Sequence, residues 1–374
     1  MFVCGGTTTF GFERVILRYI EGLAARNSPI YCTASGWTDG VFPAELSRIG
    51  VPYELIKLGW IYISQWRWTI DSLRHLPQAR AQFALVNEKF KPDLLIHSGY
   101  RSITMSTGIF GKKHIIAVQD YWTTKWEKAL MRRLDRNILA YLACSDDVRK
   151  YLISIGLPPE KVVRIYNPMI FPEQPLPRIA VSRPFTFGIT GQVIERKGHH
   201  IIFQAIAAIH RQHPTLVLQL KIFGQGSAAY ETTLRALAAQ LGIDSDIQWC
   251  GYRNHPDAFF PELDCALVPT ITPDPCPLAA IEPGAYALPA ITSMAGGLAE
   301  LVLDGQTGFL VPTGDVRALA ARMAQLIQDP ELAKTLGKQA FSANRQRFSE
   351  PVVIDQLDKV FQTLTATRRQ PHAA

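Results

Sequence analysis

Pro269-Thr270-Ile271-Thr272-Pro273-Asp274-Pro275-Cys276-Pro277-Leu278-Ala279-Ala280-Ile281-Glu282 decides how the chain is read, with its continuation through Pro289 to Gly296-Gly297-Leu298-Ala299-Glu300. The apolar run 265–268 before it reads as a strand. A proline-rich turn follows, and the spacing predicts a short helix with Pro277 at its first position, where a missing N–H costs nothing. Leu278 and Ala279 would then present free backbone N–H groups, and such an N-terminus attracts phosphate. Asp274 precedes this helix and Glu282 lies one to two turns inside it, so both carboxylates would flank one anion pocket and accept hydrogen bonds from a hydroxyl-bearing ligand. On their own, two acids eight residues apart are more often a turn acid and a helix acid on a surface. The surrounding chain decides between the two.

Upstream, Phe185-Thr186-Phe187-Gly188-Ile189-Thr190-Gly191 reads as a strand running into Gln192-Val193-Ile194-Glu195-Arg196-Lys197-Gly198, and Ile201, Ile202, Ala205, Ile206 and Ile209 then recur at helical spacing. Strand, glycine loop and helix is the arrangement that brings backbone N–H groups and a cation to a phosphate. The same pattern opens the chain: a strand over 1–4, the loop Gly5-Gly6-Thr7-Thr8-Thr9-Phe10-Gly11, then Val15, Ile16, Tyr19, Ile20 and Leu23 on one helical face. Strands over 29–34, 53–58, 93–97, 115–118 and 138–144 alternate with helical segments, and strands over 216–223 and 247–251 continue the series, with Gly224-Gln225-Gly226 closing the first. Ser145 before Asp146-Asp147 reads as an N-cap. Such alternation argues for parallel sheets with helices on both faces. Between the two halves, Pro168, Pro172, Pro175, Pro177 and Pro184 mark a linker.

These motifs resemble the retaining, nucleotide-sugar-dependent glycosyltransferases called glycosyl transferases group 1, or family four. Their signature is a Glu, seven residues, a second Glu, then a glycine-rich turn ending in Glu. Asp274 and Glu282 match the acids, with Asp for the first, and Gly296 to Glu300 match the turn. The family's second-domain loop carries Gly-Arg, several residues, then Lys-Gly. Lys197-Gly198 matches, while Gln192 stands in place of the arginine and Arg196 offers a neighbouring charge. A family Gly-Gly-x-x-Arg run is matched by Phe10-Gly11-Phe12-Glu13-Arg14 with its first glycine lost. Gln119 stands where the family commonly has His, and Pro283 falls inside the expected helix, where it can cost ~3 kcal/mol unless the helix is very short.

The resemblance implies an α/β fold of two Rossmann-like domains facing a central cleft (GT-B). Residues 1–170 would form an acceptor-binding domain, 171–184 a linker, 185–348 a donor-binding domain, and 349–374 a helix crossing back to the first domain, with its tail. It implies a nucleoside-diphosphate-sugar donor and a glycan or lipid-linked acceptor, with Asp274, Glu282 and Lys197 as catalytic residues. Donor contacts would come from Gly11, Gln192, Arg196, Lys197, Gly224, Leu278, Ala279 and Glu282, and acceptor contacts from His97, Arg101, Gln119 and Asp120. No metal and no cofactor is expected. The product implied is cell-surface polysaccharide or glycolipid. The alternative is a non-catalytic relative acting as a sugar-nucleotide-binding or partner subunit.

Composition sets the remaining bounds. The 374 residues suggest two or three domains, and 47% hydrophobic residues with 19% charged can bury substantial cores. A net charge of +7 suits phosphorylated or anionic partners. It does not by itself indicate nucleic acid, for which no aromatic-basic module is present, and no nucleic-acid partner is expected. The six cysteines form no C-x-x-C pair and read as reduced core residues of a cytoplasmic protein. No run of ~18 apolar residues predicts a spanning helix. Two segments are rich in aromatic residues: Trp60, Ile61, Tyr62, Ile63, Trp66 and Trp68, then Tyr121, Trp122 and Trp126 followed by Lys128, Arg132 and Arg133. Core or groove packing and peripheral contact with the inner membrane face are both open for them. Asp244-Ser245-Asp246 and His199-His200 read as a turn and a helix start, not metal ligands.

Overall fold

The computed structural model describes residues 1–9, 11–57, 66–99, 102–103, 114–177, 184–253 and 255–369. Expectations placed on Phe10, Trp60, Ile61, Tyr62, Ile63 and Arg101, and on the side chains of Trp66 and Trp68, fall outside these. The chain divides into two compact units, Met1–Pro168 with Glu350–Ala374, and Met169–Ser349.

The first unit is built on a parallel sheet of seven strands: β1 (Phe2–Cys4), β2 (Cys32–Ser35), β3 (Tyr53–Ile56), β4 (Leu95–Ser98), β5 (His114–Val118), β6 (Ile138–Ala143) and β7 (Val162–Arg164). Their spatial order is β3-β2-β1-β4-β5-β6-β7, so the direction of winding reverses between β1 and β4. The central strands are buried along nearly their whole length, and their sequences are correspondingly apolar rather than alternating. The helix Gly11–Ala24 buries Val15, Ile16, Tyr19, Ile20 and Leu23, the face its spacing predicts. The C-terminal helix Glu350–Arg369 packs against it. Gly22 makes that approach possible, since a Cβ there would lie 2.5 Å from Ile354 Cγ1. Val353, Ile354 and Leu357 are buried, and Arg26 pairs with Asp355 at 2.6 Å.

The second unit repeats the plan with six parallel strands: β8 (Phe185–Thr190), β9 (Leu218–Phe223), β10 (Ile247–Gly251), β11 (Cys265–Val268), β12 (Ala290–Ser293) and β13 (Gly308–Val311), in the order β10-β9-β8-β11-β12-β13. Winding reverses between β8 and β11. The helices His199–Gln212 and Val316–Gln328 cover one face, and their Ile202, Phe203, Ile206, Leu319 and Met323 form a core with Phe187, Leu220, Leu267 and Ile291.

Four features differ from the sequence reading. The short helix expected after Pro277 is a pair of 3-10 turns, Leu278–Ala280 and Glu282–Tyr286, with Pro283 in the first turn of the second. No i→i−4 ladder runs through Pro283, so the penalty expected for it does not arise. Part of the proline-rich linker is packed: Phe171 and Leu176 join a cluster with Phe260, Leu263 and Tyr286, and Leu176 N–H donates to Ala285 O at 3.0 Å. Strand β7, three residues long, carries too little pattern to be found by periodicity. The helix Lys125–Leu134 is absent from the expected elements, and its signal is local: the Thr124 and Glu127 side chains cap each other's backbone N–H in a capping box.

Candidate functional site

In a doubly wound sheet, ligands bind outside the carboxyl ends of the strands where winding reverses. In the second unit that point lies at the ends of β8 and β11, and the segments singled out in the sequence leave from those two ends. After β8 the chain makes a 3-10 turn over Glu195–Lys197 and enters the helix His199–Gln212 through Gly198, at φ 77°. A Cβ on Gly198 would sit 2.1 Å from Pro269 O, so only glycine lets this turn lie against the end of β11. Ile271 N–H donates to Arg196 O at 2.8 Å, tying the two segments together.

That contact brings three charges to one place. Lys197 Nζ lies 2.9 Å from Asp274 Oδ2 and Arg196 Nη1 lies 3.3 Å from the same oxygen. Asp274 is 7% exposed, and its backbone is held by the turn from Ala295 to Gly297: its N–H donates to Ala295 O and its carbonyl accepts from Gly297 N–H. The glycine-rich turn therefore serves as the seat of the first acid. Both ion pairs use Oδ2, and Oδ1 has no protein partner among the described residues. The sequence reading gave Asp274 a hydroxyl to hold. In the structure its Oδ2 meets the two cations.

The remaining second-unit candidates fall around this cluster along the chain. Glu282, half-buried, opens the second 3-10 turn, where its charge adds to burial and the Asp257 hydrogen bond in pushing the Tyr286 hydroxyl up. Leu278 and Ala279 begin the first 3-10 turn, and their N–H groups donate to no protein acceptor among the described residues. Gln192 is exposed and its carbonyl accepts from Ile194 N–H. Gly224 has a packing reason: a Cβ there would be 1.7 Å from Gly191 O, so it lets the loops after β8 and β9 run backbone against backbone. His199 is buried, which pushes its imidazole down to about 4. It adds no charge at neutral pH. Asp246 of the D-x-D accepts from His210 at 2.8 Å.

In the first unit, Gly11 is exposed and a Cβ there would meet nothing within 4 Å, whereas the space beside Gly6 is taken by Glu13. His97, expected on the acceptor side, is fully buried instead. Its Nδ1 meets Ser102 Oγ at 3.0 Å and its Nε2 meets His114 Nδ1 at 2.9 Å, so neither ring nitrogen is presented to a ligand. Burial, with His114 beside it, holds His97 well below the usual imidazole range, and burial brings His114 down to about 4. Gln119 donates to Asn167 Oδ1 at 2.6 Å, and Asp120 is exposed. Arg101 lies outside the described residues. Among the described residues no helix is long and apolar enough to cross a membrane.

Comparison with known proteins agrees with this architecture. The family model for glycosyl transferases group 1 matches residues 178–343, and that for glycosyltransferase family 4 matches residues 11–169. The chain belongs to the group 1 glycosyltransferases. WcaL of Salmonella typhimurium, named for colanic acid biosynthesis, is 28% identical over 265 residues, 66% of this chain and 61% of that protein. CapM of Staphylococcus aureus, named for capsular polysaccharide biosynthesis, is 24% identical over 180 residues, 48% of this chain and 46% of its own. The chain thus aligns with about half to three-fifths of these relatives' length. HepE of Anabaena, solved with UDP bound, covers 97% of this chain and 99% of its own at a TM-score of 0.80 and 18% identity. Sucrose-phosphate synthase of Thermosynechococcus elongatus covers 98% and 99% at 0.77, also at 18% identity. These likenesses give the fold, that of the GT-B group 1 glycosyltransferases.

Proposed function

We propose that this chain is a retaining glycosyltransferase that moves a sugar from a nucleoside-diphosphate sugar to a glycan or lipid-linked acceptor in the building of cell-surface polysaccharide. The observation that carries the reading is the convergence of Lys197 and Arg196 on buried Asp274 at the winding reversal of the second sheet. In the reaction the bond between the anomeric carbon and the diphosphate oxygen breaks, the diphosphate leaves with the electron pair, and an acceptor hydroxyl oxygen bonds to that carbon and passes its proton to the departing diphosphate oxygen. Charge develops on the diphosphate, and its stabilisation is the main electrostatic task. Lys197 and Arg196 answer that charge, and the N–H groups of Leu278 and Ala279 add two donors. Asp274 Oδ1 accepts from a hydroxyl of the donor sugar, and Glu282 holds the nucleotide ribose. The first unit takes the acceptor, with Gln119 and Asp120 on its side. Two side-chain cations at the diphosphate make a divalent metal unnecessary, so turnover is expected to survive EDTA.

HepE, which has this fold, was also solved with UDP-glucose bound, which makes uridine donors the first to try. Thermal unfolding of the full chain against UDP-, GDP- and ADP-sugars is the direct test, because a ligand of the folded state raises its midpoint. One class is expected to raise it and to turn over with retained anomeric configuration. Lys197→Met is expected to remove a charge-assisted contact and weaken that ligand about 10-fold or more. If no nucleotide sugar shifts the midpoint and none is hydrolysed or transferred, the reading fails. Gln192 and Gln119, which replace a cation and an imidazole of the family pattern, support the second reading, a sugar-nucleotide-binding or partner subunit. Binding without turnover across an acceptor panel would favour it.

The same reading places the protein at the cytoplasmic face of a membrane. Lys125, Trp126, Ala129, Arg132 and Arg133 are all exposed and spaced to share one face of the helix Lys125–Leu134, with exposed Arg136 just beyond. The helix's one acid, Glu127, is buried in the capping box, and Trp126 is 43% exposed. A cationic face with an exposed indole suits anionic headgroups. Co-sedimentation with phosphatidylglycerol vesicles, lost in the Arg132→Glu/Arg133→Glu variant and absent with phosphatidylcholine, is the expected result. Equal sedimentation of that variant would remove the membrane from the proposal.

A further inference from the structure

A hollow lies in the first unit beside the ends of β2 and β3. It has a volume of about 320 Å³ and is lined by Gly36, Leu55, Lys57, His75, Gln78, Ala79 and Gln82. Leu55 lies in β3 and Lys57 just beyond it, Gly36 follows β2, and the other four come from the helix Trp66–Phe90. His75, Gln78, Ala79 and Gln82 recur at spacings of three, one and three, so one helix face supplies the wall opposite the strand ends. This is the carboxyl side of the β2–β3 edge of the sheet, apart from the winding reversal between β1 and β4.

The lining is one-sided in charge. Among the described residues it holds an ammonium, an imidazole and two amides, and no carboxylate. Lys57 has no carboxylate partner among the described residues. Its Nζ lies 3.4 Å from His75 Nε2 and 6.0 Å from the centroid of the Trp37 ring. The surroundings hold both groups in place. The His75 Nδ1 meets Asp71 O at 2.9 Å, which turns Nε2 toward Lys57. Trp37 packs edge-on against the imidazole at 5.8 Å and donates its indole N–H to Asp71 Oδ2 at 3.1 Å. A Cβ at Gly36 would come within 2.8 Å of Lys57 Cγ, so the glycine leaves the space the lysine stem occupies. Asp71 is thus engaged by Trp37 and His75. Buried Ala79 forms the floor and half-exposed Leu55 an apolar side.

We propose that this hollow is a binding site for an acidic sugar residue of the acceptor, with Lys57 Nζ on its carboxylate or phosphate, Gln78 and Gln82 on its hydroxyls, and Leu55 against its ring face. The volume stands at the small end of the roughly 300–1,000 Å³ of ligand pockets, which suits a single residue of a chain better than an extended polymer. An uncharged sugar would leave Lys57 without its counter-charge, so the site selects for charge before it selects for ring stereochemistry. Its place on an acceptor rests on the glycosyltransferase reading. Its preference for acidic sugars does not.

The test is ligand-observed NMR titration of the full chain with glucuronate, glucose 6-phosphate, glucose and inorganic phosphate. One or both acidic sugars are expected to bind at least about 10-fold more tightly than glucose, the scale of one charge-assisted contact, and more tightly than phosphate alone. Glucuronate preferred over the sugar phosphate assigns the anion as a carboxylate, and the reverse order as a phosphate. Lys57→Met is expected to erase the margin over glucose. Gln82→Ala, which keeps the charge, is expected to weaken acidic sugars and spare inorganic phosphate. Lys57 is exposed, so the Lys57→Met variant should keep its thermal midpoint and its nucleotide response, which separates loss of this site from loss of the fold or failure of the donor reading. Acidic sugars that bind no better than glucose at millimolar concentration, or that bind Lys57→Met as well as the natural chain, would overturn the proposal.

Discussion

At the scale of single residues, the glycine and the ion cluster of the second unit make the sharpest demands. Gly198 combines φ 77° with a backbone oxygen 2.1 Å from any Cβ, so Gly198→Ala must move either the turn or the end of β11. A cost of about 2 kcal/mol or more is expected, read as a fall in the denaturation midpoint, with loss of nucleotide response because Lys197 shifts with it. Lys197→Met leaves Asp274 buried with only Arg196 beside it, at an expected cost of about 1–3 kcal/mol. Asp274→Asn in the same chain should recover part of that loss, and a double-mutant cycle showing strict additivity would mean the pair is not coupled. Lys197, Gly198 and Asp274 were legible from the motif, since each has a covalent neighbour that marks it. The shared use of Oδ2 was not, because it depends on a contact across more than seventy residues of chain. His97 was misread for the same reason: nothing local says that a polar strand residue will find His114 and Ser102 in the interior.

At the scale of elements, local signals worked where an element carries its own stop and start. Ser145 caps its helix through Val148 N–H as the sequence predicts. The capping box of Thr124 and Glu127 is an equally local signal, set among aromatic residues that suggest other roles for the segment. Thr124→Ala is expected to destabilise by about 1 kcal/mol in chemical denaturation, and an unchanged midpoint would mean that packing alone holds that helix. The 3-10 pair after Pro277 escaped a reading that joined Leu278 to Glu282 as one helix. Proline at 283 breaks the i→i−4 ladder, and two tighter turns use the residues instead. Trp122 shows the limit of composition: it sits among exposed basic and aromatic residues yet is 3% exposed, while Trp126 four residues on is solvent-facing.

At the scale of the whole molecule, the chain leaves the first unit after Pro168 and returns to it at Glu350. Truncation after Ser349 would remove buried Val353, Ile354 and Leu357 and uncover Gly22. Burial of such side chains stabilises by about 1.5–3 kcal/mol each, so a loss of several kcal/mol is expected, confined to the transition of the first unit in differential scanning calorimetry. Acid should act on the same unit. An unfolded histidine takes a proton near 6.5, whereas His114 resists until about 4 and His97 is also held down, both chiefly by burial. Between those values the unfolded chain binds more protons, so stability is full above pH 6.5 and falls as the pH drops through the window. For His114 alone the full shift corresponds to on the order of 3 kcal/mol. Urea midpoints at pH 7 and pH 5 check this, and His114→Asn should flatten the difference.

From sequence alone came the alternation of strands and helices, the two glycine loops, the acid pair and the family, because each is written in neighbouring residues whose spacing follows the geometry of one element. Tertiary structure decided which of those residues meet. It joined Lys197 and Arg196 to Asp274 and sealed His97 in the core, since two strand ends distant in sequence become neighbours only when a sheet is wound, and it set Lys57 opposite His75 by laying a helix against the end of β3.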